Sequence, residues 1–149
     1  MNDCALPTST HSFDEPSDEL RLHVEATSLD ELYAEAGRAL SELMLPRGGS
    51  RPISTAPHPL THRERVTVEA TDRDALLADW VNELIYRSET EHRVFVEFQI
   101  ERLTDRFLSA WVRGVDPIEP RTPVKAATLY DLHITEHAHG FSATVTLDV

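Results

Sequence analysis

The closing stretch of the chain, residues 141–149, alternates strictly between apolar and polar side chains. Its apolar positions are Phe141, Ala143, Val145, Leu147 and Val149. A period of two is typical of a β-strand that buries one face, so this stretch predicts a strand that continues to the last residue of the sequence. The alternation also places Asp148 off the apolar face, one residue before Val149 and its α-carboxylate.

The same periodicity recurs along the chain, interrupted by two segments with helical spacing of apolar residues. Period-two runs predict strands over residues 19–26, 64–71, 93–102 and 106–115, and then a hairpin of two long strands over 124–149 that turns at His139-Gly140. Helices are predicted over 28–45, where Ser28 and Glu31 form a capping box, and over 72–88. The order β-α-β-α-β-β-β-β predicts an α+β fold, with two amphipathic helices packed on a mainly antiparallel sheet.

The first residues of the chain have a different composition. Residues 1–18 are rich in Ser, Thr, Pro and Asp, and we expect them to form a flexible leader before a single domain over 19–149. The single cysteine, Cys4, excludes an intramolecular disulfide and favours a reducing compartment. The sequence has no apolar run of membrane-spanning length and no signal-peptide pattern, so we expect a cytoplasmic protein without a membrane partner.

The charge balance restricts the possible partners. The formal net charge is −12, from 14 basic against 26 acidic residues. Nucleic-acid phosphates are bound by basic surfaces, so we expect RNA to be reached only indirectly, through another protein. An acidic protein can still dock onto the basic surface of a nucleic-acid enzyme, where opposite charge speeds the encounter.

Acidic groups are predicted to meet at one end of the sheet. If the strand over 19–26 pairs with the closing strand, Glu19 lies near Asp148 and the carboxylate of Val149, and Asp18 is an alternative to Glu19. An all-oxygen donor set prefers a hard divalent cation such as Ca²⁺, Mg²⁺ or Mn²⁺. The alternative interpretation is a solvated chain end with ordinary exposed acids.

A lysine opens the final hairpin. Lys125 stands between Val124 and Ala126, directly after Pro123. One interpretation is an ordinary surface lysine that covers apolar neighbours with its stem. The other is a cation held near the acidic cluster or offered to an anionic ligand of a partner.

The chain contains four characteristic segments, LHVEATSLDELYAEAGRALSELM, VEATDRDALLADWVNELIYRSETE, PVKAATLYDL and FSATVTLDV. In this order, and over about residues 19–149, they resemble the archease family, the small protein cofactors of RtcB-type RNA ligases. The most specific are W-x-N-E-L-x-Y in the second helix and V-K-A at the start of the hairpin. The chain departs from the family at Pro16-Ser17-Asp18-Glu19, where the family usually has His-Thr-Ala-Asp.

The resemblance implies a function and a set of site residues. It implies a non-catalytic activator that promotes guanylylation of the active-site histidine of the ligase, and so its turnover in tRNA splicing or RNA repair. It also implies a metal site formed by Glu19 or Asp18 with Asp148 and Val149, and a functional lysine at Lys125. Two other classes stay open, a metal-dependent phosphoester hydrolase and a general chaperone-like binding module.

Overall fold

The computed structural model describes residues 8–15, 19–45, 60–115 and 124–149, which form eight strands and two helices. In chain order these are β1 (Ser9–Asp14), β2 (Leu20–Ala26), α1 (Leu29–Met44), β3 (Glu64–Glu69), α2 (Arg73–Glu91), β4 (Val94–Leu103), β5 (Phe107–Val115), β6 (Ala126–Thr128), β7 (Thr135–His137) and β8 (Gly140–Asp148). The predicted α+β class and both predicted helices are confirmed. In the described part of the chain, no helix has the length and apolar character needed to cross a membrane.

The strands form two antiparallel sheets, where the sequence predicted one. The first sheet has the order β1-β2-β8-β6, and β7 also pairs with β8. The second has the order β3-β5-β4. Both helices contact both sheets, α1 mainly through β2 and β4 and α2 mainly through β6 and β3. The helices therefore supply the apolar surface that the inner faces of the two sheets need.

The prediction that residues 1–18 form a leader is wrong for residues 9–14. These residues form β1, which pairs along its whole length with β2, from Ser9 opposite Ala26 to Asp14 opposite Arg21. Polar residues obscured the strand, because its inward positions include Ser9 and His11, which hydrogen-bond to α1 where an apolar side chain would normally pack. Residues 1–7 and 16–18 lie outside the described part of the chain.

The prediction of two long strands in the final hairpin is also wrong. Its first arm is divided into β6 and β7, and the intervening residues turn into the core. Asp131 adopts a left-handed conformation with φ of 59°, while Leu132 and Ile134 are buried. Burial of these two side chains outweighs continuous pairing with β8. The second arm is confirmed, and it begins at Gly140, where a side chain would collide with the carbonyl oxygen of Ala26.

Two hydrogen bonds from buried aromatic side chains hold the helices together. The indole N–H of Trp80 in α2 donates to the carbonyl oxygen of Tyr33 in α1 at 2.8 Å. The hydroxyl of Tyr33 donates to the carbonyl oxygen of Arg73 at 2.6 Å, and burial raises the pKa of that hydroxyl. Each bond satisfies the one polar atom of a large buried ring, so the rings can fill the core without an unsatisfied group.

A buried carboxylate fastens β1 to α1. Glu35 is 6% exposed and accepts hydrogen bonds from Ser9 at 2.6 Å and from Nε of Arg38 at 3.0 Å. His11 contacts Glu35 through one ring nitrogen and Glu42 through the other. Burial raises the pKa of Glu35, but the hydrogen bonds from His11, Ser9 and Arg38 outweigh burial and hold it below its ordinary value of 4.5.

The Glu35 contacts predict a pH-dependent contribution to stability. Because the folded-state pKa of Glu35 is below 4.5, its stabilisation is complete above that pH and is lost as the pH falls through the folded-state value. We expect Glu35→Gln to lower the free energy of unfolding by about 2 kcal/mol at neutral pH, from hydrogen bonds to a charged group. Urea unfolding at several pH values measures this, and the difference between the two proteins should shrink in acid.

A matched control is Glu42→Gln, which removes the more exposed carboxylate that contacts the same histidine. The side chain of Glu42 is 61% exposed against 8% for Glu35, so its loss should have the smaller effect. An equal loss of stability in both variants, or a difference from the wild type that is constant across the acid range, would contradict the role assigned to Glu35.

Candidate functional site

The pairing of β2 with β8 brings the predicted acidic residues to one end of the first sheet. Leu20 lies opposite Leu147, and both side chains are buried. The next pair in this register is Glu19 with Asp148, and the alternation of an antiparallel pair puts both on the polar face. Both residues are exposed. The register therefore brings Glu19 and Asp148 to the same end of the sheet, and Val149 follows on the same strand.

Lys125 lies at the same end of this sheet, on the other side of β8. Ala126 pairs with Asp148, and the backbone N–H of Lys125 donates to the carbonyl oxygen of Asp148 at 2.7 Å. Lys125 is exposed, and it is the only lysine in the sequence. The ends of three adjacent strands therefore bring Glu19, Asp148 and Lys125 to the same end of the first sheet. We call Glu19, Lys125, Asp148 and Val149 the sheet-end cluster.

Asn82 in α2 fixes β6, and with it Lys125. Its side-chain amide donates to the carbonyl oxygen of Ala127 at 2.9 Å, and its side-chain oxygen accepts from the N–H of Ala127 at 2.7 Å. These two bonds satisfy both backbone polar groups of one residue of an edge strand. Helical periodicity alone would leave Asn82 on the solvated face of α2, but the structure uses its side chain to hold β6. The available signal was its position in W-x-N-E-L, beside the buried stripe of Trp80 and Leu84.

A second residue of α2 holds the segment that follows β6. One carboxylate oxygen of Asp74 accepts from the N–H of Ile134 at 2.9 Å, and the other lies 3.2 Å from Nδ1 of His133. The helix therefore contacts the divided arm of the hairpin at two points, Asp74 and Asn82. Because both contacts reach the backbone, they fix its path whatever side chains the arm displays. In the sequence Asp74 is visible only as an acidic residue in the first turn of the helix.

The cleft beside this second contact differs in chemistry from the sheet-end cluster. A cavity of about 630 Å³ is lined by the first turn of α2, the turn before β5 and residues 133–136. Its charged lining groups are Asp72, Asp74, Asp105, Glu136, Arg73 and Arg106, together with His133. Carboxylates outnumber guanidinium groups in this cavity, which disfavours a phosphate ligand. No residue of the sheet-end cluster lines the cavity.

The sheet-end cluster supplies oxygen donors without forming a closed metal cage among the described residues. The carboxylate of Glu19 lies 3.8 Å from the guanidinium of Arg21, and their side chains are 49% and 42% exposed. Within residues 8–15, 19–45, 60–115 and 124–149, no group of three His, Cys, Asp or Glu residues is arranged to hold a metal. Asp18 lies outside the described residues. The oxygen donors present fit a hard cation in type, and the ligand set of Glu19 or Asp18 with Asp148 and Val149 stays a prediction.

Comparison with known proteins gives a consistent family. The model of the Archease protein family (MTH1598/TM1083) matches residues 11–149. The chain belongs to the archease family. The match begins inside β1, so the archease domain includes a strand that the sequence reasoning placed in a leader.

Individual archeases are distant in sequence but similar in fold. Protein archease of Methanosarcina barkeri is 31% identical over 97 residues, which cover 60% of this chain and 66% of that protein. Protein archease of Methanopyrus kandleri is 28% identical over 137 residues, 85% of this chain and 89% of that protein.

Two solved structures support the archease fold. The solution structure of Methanobacterium thermoautotrophicum protein 1598 superposes with a TM-score of 0.70 at 24% identity, covering 93% of this chain and 98% of that one. The crystal structure of a Thermotoga maritima archease, called a possible chaperone, superposes with a TM-score of 0.63 at 17% identity over all of both chains. At these identities the similarity establishes the fold.

The contact of Asn82 with β6 predicts a local change of stability. We expect Asn82→Ala to speed amide hydrogen exchange at Ala127 by roughly thirtyfold, the equivalent of about 2 kcal/mol for two lost hydrogen bonds to a buried edge. Exchange measured by NMR in the folded protein tests this. The matched control is Asp79→Asn, which changes an exposed polar residue one turn earlier in the same helix and should leave Ala127 unaffected. A folded Asn82→Ala protein with unchanged exchange at Ala127 would contradict the assignment.

Proposed function

We propose that this archease-family protein is a non-catalytic activator of an RtcB-type RNA ligase. In this proposal it promotes guanylylation of the active-site histidine of the ligase, and hence repeated turnover in tRNA splicing or RNA repair. The supporting observation is the sheet-end cluster, in which Lys125, Asp148 and Glu19 lie at adjacent strand ends and are exposed. The proposal keeps the cytoplasmic location that the sequence leads us to expect.

The shape of the cluster supports action on a partner. Active sites that do chemistry by themselves are usually concave and partly shielded from water. Glu19, Lys125 and Asp148 are instead exposed at the end of a sheet, where a partner with its own pocket can reach them. Groups presented in this way can complete the electrostatics of a nucleotide site in the partner.

The arrangement of α2 supports a preorganised presentation of Lys125. The ammonium group sits on a flexible stem, but its backbone is tied to Asp148 on one side, and the neighbouring Ala127 is tied to Asn82. Fixing the backbone reduces the conformational entropy lost when the side chain binds an anionic ligand. In the proposal, Lys125 approaches the phosphates of the guanine nucleotide held by the ligase, and Asn82 acts as a positioning residue.

The proposal includes a divalent cation held by Asp148, the carboxylate of Val149 and either Glu19 or Asp18. When bound, a hard cation would supply positive charge that stabilises phosphate oxygens. The residues of this chain contribute the oxygen ligands and an exposed position for them. The neighbouring Arg21 reduces the negative charge around Glu19, which favours modest affinity and easy exchange of the ion.

Exposed apolar groups after β6 and on α2 support a docking surface. Leu129 and Tyr130 directly follow β6 and are 52% and 72% exposed, and Tyr86 on α2 is 61% exposed. Tyrosines are frequent anchors in protein interfaces because they bury a large ring and keep a polar tip. The surface charge of an acidic chain complements the basic surface expected of an RNA enzyme.

The same apolar groups favour a second candidate, a general chaperone-like binding module. Such a module would protect unrelated clients through Tyr86, Leu129 and Tyr130, without using Lys125 or a metal. The two candidates differ in their dependence on Lys125. Suppression of citrate synthase aggregation at equimolar archease would support the chaperone function, and ligase activation that depends on Lys125 would support the first proposal.

The first prediction from this proposal concerns Lys125. Lys125→Ala should lower the rate of guanylylation of the cognate RNA ligase, in GTP and Mn²⁺, by about tenfold or more, since it removes one charged contact to a phosphate. Incorporation of labelled GMP into the ligase measures the rate. Lys125→Arg should retain part of the activation, because it keeps the charge and changes its geometry.

The matched control for Lys125 is Arg106→Ala, which removes an exposed cation from the cleft outside the sheet-end cluster. It should activate the ligase as the wild type does. Because Lys125 is exposed, its loss should leave the unfolding transition within about 0.5 kcal/mol of the wild type. Full activation by a folded Lys125→Ala protein would refute this role.

The second prediction concerns the cation. Asp148→Asn should weaken Ca²⁺ or Mn²⁺ binding measured by calorimetry, because it removes one negative ligand with almost no change of shape. A saturating ion should also raise the stability of the wild type, by about 2.7 kcal/mol at a hundredfold excess over the dissociation constant. Glu25→Gln is the control, since Glu25 is an exposed carboxylate on the same strand face as Glu19, towards the other end of β2. Equal ion affinity in all three proteins would exclude Asp148 as a ligand.

A further inference from the structure

The second sheet has a solvent-facing side that the proposed function does not use. Its inner positions, among them Val66, Val68, Leu108, Ala110 and Val112, are buried in the core. The alternating positions point away from the core and carry polar and aromatic residues. We call these the outer face, which comprises Arg63 just before β3, Arg65, Thr67 and Glu69 of β3, Glu97, Gln99, Glu101 and Arg102 of β4, and Phe107, Ser109, Trp111 and Arg113 of β5.

Two aromatic rings lie along one strand of the outer face, each beside guanidinium groups. The guanidinium carbons of Arg63 and Arg65 both lie 4.6 Å from the centre of the Trp111 ring. The guanidinium carbon of Arg102 lies 5.8 Å from the centre of the Phe107 ring. Phe107 and Trp111 are four residues apart on β5, which corresponds to about 14 Å along a strand. The rings and the planar guanidinium groups are both surfaces on which nucleic-acid bases stack.

The outer face reverses the charge balance of the chain. It carries four arginines, Arg63, Arg65, Arg102 and Arg113, against three glutamates, Glu69, Glu97 and Glu101. The whole chain has 14 basic residues against 26 acidic ones. An excess of arginine on one face of such an acidic protein is a local feature that the net charge conceals. Local charge decides where a polyanion can approach, since exposed charges interact over only about 10 Å at ordinary salt.

Hydrogen bonds fix part of the outer face in place. Glu101 accepts from the hydroxyl of Ser109 at 2.8 Å and pairs with Arg65 at 3.1 Å. Arg63 donates to the side-chain oxygen of Gln99 at 3.1 Å. A shallow cavity of about 150 Å³ lies between Arg63, Gln99, Trp111 and Arg113. Glu97, Phe98 and Val112 complete the wall of the cavity, so polar groups surround two aromatic rings there, an arrangement that can take part of a base or sugar.

We propose that the outer face binds a single-stranded nucleic acid. Bases would stack on Trp111 with its adjoining arginines and on Phe107, while Arg63 and Arg113 neutralise phosphates near the cavity. The separation of about 14 Å between Phe107 and Trp111 along β5 leaves room for two nucleotides of an extended strand. This departs from the expectation that RNA is reached only through a ligase, and it needs no ligase to be tested.

An acidic protein segment is the other polyanion that could meet these arginines. It would use the charge of the outer face but not the two rings, because carboxylate side chains gain little from an aromatic surface. The pairing of each ring with a guanidinium group therefore favours nucleic acid, whose bases and phosphates use both features. Trp111 therefore distinguishes the two ligands, because it should contribute to binding of a nucleic acid and not to binding of an acidic protein segment.

The experiment uses a fluorescein-labelled oligouridylate of about ten nucleotides, a length within the usual site size of one small domain. The full chain is added at low salt, and binding is measured as the rise in fluorescence anisotropy of the oligonucleotide. Trp111→Ala should weaken binding by about tenfold, as expected for loss of one stacking surface. Arg63→Glu should weaken binding and make it less dependent on salt, since one phosphate contact is lost. Oligothymidylate of equal length shows whether the 2′-hydroxyl contributes.

The matched control is Arg21→Glu, which makes the same charge change on the first sheet, where the side chain of Arg21 is 42% exposed. It should bind the oligonucleotide within about twofold of the wild type. The proposal is overturned if the wild-type protein does not bind, if Arg21→Glu and Arg63→Glu weaken binding equally, or if a duplex of equal length binds as well as the single strand. It is also overturned if a polyglutamate peptide binds the face with no loss in Trp111→Ala, which would identify an acidic protein as the partner.

Discussion

The first sheet depends on the antiparallel pairing of β8. This strand has β2 on one side and both β6 and β7 on the other, and its inward residues Val145 and Leu147 are fully buried. A one-residue change in its register would turn those side chains to solvent and Asp148 towards the core, so burial specifies the register strongly. The same register places Glu19, Asp148 and Lys125 at one sheet end. The candidate site is therefore a consequence of how the core is packed.

The helices position the hairpin through contacts with its backbone. Asn82 hydrogen-bonds to both the backbone N–H and the carbonyl oxygen of Ala127, and Asp74 accepts from the backbone N–H of Ile134. Contacts of this type fix an edge strand without covering its side chains, which leaves Lys125, Leu129 and Tyr130 exposed to a partner. The aromatic contacts between α1 and α2 give the helix that makes these contacts a rigid base. One face of α2 thus stabilises the core, while another face holds the hairpin segment that exposes Lys125.

Charge is unevenly distributed over this acidic protein. One end of the first sheet combines Glu19, Asp148 and Lys125, while the outer face of the second sheet carries four arginines beside two aromatic rings. The net charge of −12, a property of the whole chain, reveals neither arrangement. If both proposals hold, the protein meets a ligase through one sheet and a nucleic-acid strand through the other, with the helices joining the two. The two experiments are independent, since one requires the ligase and the other requires the protein alone.

The sequence by itself determined the class of the fold, both helices and most strand positions. Periodicity and capping are local properties, and burial of one face follows from them directly. The tertiary structure decided that Ser9–Asp14 is a strand, that the final hairpin is interrupted, that there are two sheets and that Asn82 fixes β6. Each of these depends on a partner distant in the sequence. The polar side chains of β1 are stabilised by Glu35 and Arg38, and an amide on a helix has no visible role until a strand lies against it.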